Sequence, residues 1–196
     1  MRPNRLLRFT QLFIVLALAL QCHVALGFQS EQLPAGSRLP RLILPAPDSV
    51  QTQKYLGLPT MEPFAMSRIN ARMLIVEFMS VMCPHCQANA PVMNRLYKVI
   101  QDNPTLAGDI KIIAIAIGSS KSQVDAFRKK FKVPFPMFPD EGYAVVGDLE
   151  SLDTPTTVLT TITGKVLTSH LGEIRDFDAF LKEIRQIHKK TVGERG

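Results

Sequence analysis

The chain has 196 residues, 46% of them apolar, with 23 basic and 17 acidic side chains, a net charge of +6 and three cysteines. This composition supports one domain with a substantial core and shows no low-complexity tract. Without Arg2, Arg5 and Arg8 of the expected leader, 20 basic residues stand against 17 acidic ones, a net charge of +3 with no aromatic–basic stripe, which excludes nucleic acid as the expected partner.

Those three arginines precede an apolar run over 12–20 and the small residues of Ala25-Leu26-Gly27, with no acidic side chain among them. The pattern predicts a secretory signal peptide over 1–27, cleaved after Gly27. Two alternatives stay open: an uncleaved membrane anchor, weakened by Gln21 and His23, and lipidation of Cys22, against which Gln21 stands. The protein is therefore expected in the periplasm or another extracytoplasmic compartment, free or anchored. Loss of the leader also removes Cys22 and leaves two cysteines.

Residues 28–60 carry Pro34, Pro40, Pro45, Pro47 and Pro59 and read as an extended lead-in with one short edge strand at 42–44. A single domain is expected over 61–190. In it, 64–66 reads as a short strand and 72–79 as a central strand, apolar on both faces. Residues 83–100 have helical spacing, with Pro91 inside and Asn103-Pro104 as the stop. A second buried strand follows over 110–117. Ser120 and Gln123 match a capping box for a helix reaching about 131. Then come a proline-rich strand edge over 133–139, a short helix around 143–149, and a hairpin of 156–161 with 165–171. Asp176 caps a last helix through 188, and 191–196 reads as a flexible tail. The alternation predicts an α/β fold, a mixed central sheet with helices on both faces.

Cys83-Pro84-His85-Cys86 is the motif that carries chemistry. It lies at a strand-to-helix junction, so the first sulfur meets the free N–H groups and positive dipole end of the helix, which favour a thiolate. A pair three residues apart closes almost no loop and adds little stability, so its purpose is exchange. Cys83 is the candidate nucleophile, Cys86 the resolving thiol, and His85 the residue that tunes the couple. Zinc needs about four ligands, and no second C-x-x-C or histidine pair lies at ligand spacing. The remaining metal reading is a copper-binding module using Cys83, Cys86 and a histidine. Glu77 is either a strand-end residue turned to solvent or a buried proton acceptor for Cys86. Met66, Met73, Met79, Met82 and Met93 read as adaptable core, with Met82 also suited to an apolar rim. His170 reads as a surface strand residue.

Residues 61–188 resemble a thioredoxin-like domain of the TlpA/ResA-type extracytoplasmic thiol–disulfide oxidoreductases. The resemblance rests on the strand ending in Glu77-Phe78, on Pro91 eight residues after Cys83, on Glu77 six before it, and on Thr154-Pro155-Thr156 ahead of a hairpin. It implies a cis peptide at Pro155, with Thr154 and Pro155 pairing with the substrate backbone, and a short strand–helix insertion between the motif helix and that loop. It also implies protein thiols and disulfides as substrates, a membrane-bound redox partner, and no dissociable cofactor or metal. Cys-Pro-His-Cys itself resembles the DsbA active site, and Met82 replaces the tryptophan usual before the first cysteine. The scaffold implies a reductase and the dipeptide an oxidase, so direction stays open. Peroxiredoxins share the outer scaffold, but Val76 occupies the position where they need proline.

Overall fold

The structure, a computed structural model, describes residues 33–149 and 152–193; the expected signal peptide and Cys22 lie outside them. In chain order the elements are β1 (Ile43–Leu44), α1 (Val50–Leu56), β2 (Phe64–Ala65), β3 (Met73–Met79), α2 (Pro84–Gln101), α3 (Pro104–Asp109), β4 (Ile110–Ile117), α4 (Lys121–Phe131), β5 (Met137–Asp140), β6 (Thr156–Thr161), β7 (Val166–Leu171) and α5 (Phe177–Gly193).

The apolar runs explain the sheet. Every position of β3 is buried, and all but Lys111 in β4, so neither strand can take an edge. They pair in parallel at the centre of a five-stranded sheet of order β5-β4-β3-β6-β7. β5 extends it in parallel, while β6 and β7 close the other side antiparallel. The hairpin turn at Gly164 has φ 89°, a left-handed conformation that glycine adopts without strain.

Alternation along β3 sorts its side chains into two layers. Met73, Ile75 and Met79 pack with Met93 and Leu96 of α2 and with Phe180 and Ile184 of α5. Leu74, Val76 and Phe78 meet Leu42, Leu44 and Leu56 from the 28–60 segment, together with Phe64 of β2.

That second layer departs from the sequence expectation. The prolines of 28–60 predict an extended lead-in, yet α1 forms between them. Ser49 Oγ accepts from the Thr52 N–H at 3.1 Å to start it, and left-handed Gly57 ends it. Pro47 and Pro59 flank the helix rather than interrupt it. β1 pairs with β2 in a separate two-stranded sheet.

Smaller differences have similar local causes. The strand expected over 133–139 starts only at Met137, because Pro134 and Pro136 have no N–H to give a ladder. The helix expected at 143–149 shortens to a 3-10 turn over Gly147–Leu149. There the Asp140 carboxylate takes the N–H groups of Val145 and Val146 at 2.9 and 3.0 Å. α2 ends at its C-cap Asp102, and Asn103 caps α3, a helix the sequence reading does not contain. α5 runs on into the expected tail, as far as Gly193. Pro91 sits inside α2, which continues through it. Among the described residues no helix is long and apolar enough to cross a membrane.

The capping box of α4 forms on both sides, Gln123 N–H to Ser120 Oγ at 3.4 Å and Ser120 N–H to Gln123 Oε1 at 2.8 Å. Ser120→Ala is expected to lower stability by about 1 kcal/mol, read as a lower urea midpoint with unchanged m-value.

Candidate active site

The end of β3 delivers the chain into a tight loop that is pinned from two sides. Val81 N–H donates to Ser119 Oγ at 3.4 Å, and Ser119 itself hangs on the Ile117 carbonyl just past β4. Gln87, one turn into α2, donates back to the Val81 carbonyl at 3.0 Å. Cys83 then occupies the N-cap of α2 with Pro84 in its first turn, an arrangement proline tolerates because that N–H has no helical partner anyway. The Cys83 sulfur takes the place of a capping oxygen, accepting from the Cys86 N–H at 3.4 Å.

The two thiols are free and unequal. Cys83 is half-buried, whereas Cys86 is 1% exposed. Burial by itself pushes the Cys83 thiol up. Hydrogen bonds from the Cys86 thiol and N–H, from the Thr154 side chain and from the His85 backbone outweigh it, and the thiol lies below its ordinary value. The Thr154 carbonyl, 3.3 Å from Sγ, accepts from the protonated form and opposes that trend. Cys86 is driven the other way: loss of solvent, reinforced by the neighbouring sulfur, pushes it up to about 12. Pro84 and His85 are exposed, and Met82 beside them is 74% exposed, fit for an apolar rim rather than core. Met66, Met73, Met79 and Met93 are core as expected.

Thr154 and Pro155 reach the motif from the start of β6. The Thr154–Pro155 peptide is cis. Thr156 Oγ1 steadies the loop by donating to the Asp153 carbonyl at 2.6 Å, and the Pro155 carbonyl accepts from Gly172 N–H at 2.7 Å.

Glu77 is buried, at 4% exposure, so it is not the strand-end residue turned to solvent. Desolvation pushes its carboxyl up to about 7, although the Asn89 amide, donating to Oε1 at 2.8 Å, pulls the other way. Asn89 is itself fully buried in α2 and accepts from the Ile174 N–H at 3.1 Å. A polar chain therefore links β3, α2 and the turn before α5.

That turn walls a cavity of about 630 Å³ whose lining includes His85, Thr154, His170, Glu173 and Phe180. His170, expected on the surface, is half-buried and meets Phe180 edge-on, with ring centroids 5.8 Å apart. Among the described residues no group of three or more ligating side chains is arranged to hold a metal.

Sequence reading missed Asn89, Ser119, Gln87 and Thr157. Asn89 is a polar residue on the apolar side of its helix, and that mismatch was the available signal, whereas Thr157 lies in a strand with four threonines among its six residues and nothing sets it apart. Ser119 and Gln87 carry none, since loop and helix surface accept both.

The chain is similar to the thiol-disulfide oxidoreductase ResA of Bacillus cereus, 22% identical over 175 residues, covering 88% of this chain and 91% of that protein. Among solved structures it is similar to the thioredoxin domain of a thiol-disulfide oxidoreductase from Bacteroides vulgatus, with TM-score 0.58, 15% identity, and 77% of this chain and 98% of that one covered. StoA from Bacillus subtilis gives TM-score 0.54 at 15% identity, covering 74% and 96%. These likenesses establish a thioredoxin-like fold. The model of the AhpC/TSA family matches residues 44–176, and the chain belongs to that family.

Proposed function

We propose that this protein is a thiol–disulfide oxidoreductase that exchanges disulfides with other exported polypeptides through Cys83 and Cys86. The observation that carries the reading is the asymmetry of the pair: a partly exposed thiol below its ordinary value at a helix N-terminus, beside a buried one pushed up to about 12. A stabilised thiolate attacks and leaves easily, whereas a buried thiol reacts only intramolecularly. The names of the ResA-type relatives support the same activity. Val76, in place of the proline a peroxide-reducing site needs, argues against the other chemistry of this scaffold.

In the reducing direction, the Cys83 thiolate attacks a substrate disulfide, forming a mixed disulfide and releasing the first substrate thiolate. Cys86 then gives its proton to Glu77, and its sulfur attacks that of Cys83. The second substrate thiolate leaves and an intramolecular disulfide remains. The oxidising direction is the reverse. Thr154 and Pro155 present the backbone against which the substrate aligns, and His85 tunes the potential. Residues 1–27 direct export, with or without cleavage, and a membrane-bound partner resets the couple.

The test is the reduction potential of the Cys83–Cys86 couple in glutathione or dithiothreitol buffers. A reversible two-electron couple is expected. A value near about −120 mV marks an oxidant set by the Pro84-His85 dipeptide, and one near about −270 mV a reductase set by the scaffold. No reversible couple sinks the proposal and leaves copper retention by the same thiols as the reading to pursue.

A further inference from the structure

The register of the sheet places three polar residues in one row. Glu77 on β3 lies opposite Thr157 on β6, and Thr157 lies opposite His170 on β7. Directly paired strand residues project from the same face, with Cβ atoms about 5 Å apart. On the far side of Glu77, β4 offers only Ala114.

The middle member of the row is anomalous. Thr157 is 1% exposed, and its Oγ1 has no hydrogen-bond partner among the described residues. A buried hydroxyl left unpaired costs stability, and valine of the same shape would avoid that cost. Its neighbours are the buried acid on one side and a histidine lining the 630 Å³ cavity on the other.

The remaining contacts of Glu77 offer no route outward. Asn89 holds Oε1 through its amide N–H, and its own oxygen is fixed by the Ile174 N–H, so it cannot turn to receive a proton. Cys86 on the same helix is the proton's source in the exchange proposed above. At the other end, His170 Nε2 lies 3.2 Å from the Glu173 carbonyl. A carbonyl only accepts, so Nε2 carries the hydrogen and the lone pair of the neutral ring is on Nδ1. Around this imidazole stand Phe180 from α5, Glu183 held by the Thr168 hydroxyl, and Glu173, Arg175, Asp176 and His85 on the cavity wall.

We infer that Thr157 and His170 form the proton outlet of the buried acid, passing the proton that Glu77 takes from Cys86 through the Thr157 hydroxyl to His170 and the cavity. The hydroxyl accepts a proton from the carboxyl side as it donates its own toward Nδ1, directly or across one bridging water, so no charge resides on threonine. In the reverse half-cycle the path runs inward. Both residues act through Glu77 and are positioning residues. This inference rests on the exchange activity proposed above.

The experiment measures the Cys86-dependent resolution step by acid quench and mass spectrometry, between pH 5 and 9, in wild type, T157V, T157S, H170Q, E77Q and the double variant E77Q/T157V. Expected results are a roughly tenfold slower step in T157V with an altered pH profile, recovery to within about twofold in T157S, and slowing in H170Q. T157V should unfold at equal or higher urea concentration, which a merely structural role for the hydroxyl would not combine with a slower step. In the E77Q background, T157V should add no further slowing. An unchanged pH–rate profile in T157V, or equal slowing with and without Glu77, overturns the outlet while the exchange activity stands. Absence of any disulfide reaction in wild type overturns both.

Discussion

Cys86→Ala is expected to stop turnover and leave the protein joined to its substrate. Cys83 keeps its helix N-terminus and the hydrogen bonds from the Thr154 side chain and the His85 backbone, so it still attacks and forms a mixed disulfide. What disappears is the intramolecular thiol that releases it, and only external thiols remain to do so. Turnover should fall by about 10³-fold or more, and non-reducing gels should show a stoichiometric adduct that dithiothreitol dissolves. Cys83→Ala should lose turnover equally and show no adduct, because the remaining sulfur is buried. Alkylation separates the thiols before any substrate is added. Cys83 should react with a midpoint below that of an ordinary cysteine, while Cys86 stays inert through neutral pH. An adduct on Cys86 in the Cys83→Ala variant at wild-type rate would reverse the assignment.

Glu77→Gln has an effect on stability that depends on pH and an effect on rate that does not require a change of fold. In the unfolded chain the carboxyl titrates near 4.5, and in the folded chain burial holds it at about 7. Below about 4.5 it is neutral in both states and costs nothing. As pH rises the unfolded chain ionises first, so native stability is lost between about 4.5 and 7 and is flat above. The gap corresponds to roughly 3 kcal/mol. Wild type should therefore be weaker at pH 8 than at pH 4.5 by about that amount relative to Glu77→Gln, whose curve lacks this step. Urea titrations followed by circular dichroism measure it; the chain has no tryptophan for a fluorescence readout. The same substitution removes the proposed proton acceptor, and the resolution step should slow by about 10²-fold near pH 7. Parallel stability curves for the two proteins would mean that the acid is solvated and does not serve Cys86.

The motif, its helix and the two central strands are all written locally. Cys83-Pro84-His85-Cys86 after a run of buried apolar residues fixes where the thiols stand, because a helix start is decided by a few neighbouring residues. The capping pair Ser120 and Gln123 was legible for the same reason. α1 was not, because its signals, Ser49 and Gly57, are weak beside the surrounding prolines, and its stabilising contact is Leu56 buried against distant strands.

The sequence by itself determined the candidate residues, the Cys83–Cys86 pair and Glu77, and the elements on which they ride. Tertiary structure decided what those residues experience. Glu77 became a buried acid because β3 is central and α2 covers it, Cys86 was desolvated by the same layers, and Asn89 was aimed at both Glu77 and Ile174. Thr157 and His170 joined Glu77 in one row only through the pairing of β3, β6 and β7. Periodicity reports the face a residue takes within its own element. Register and desolvation depend on which remote segments come to lie beside it, and no local pattern encodes that.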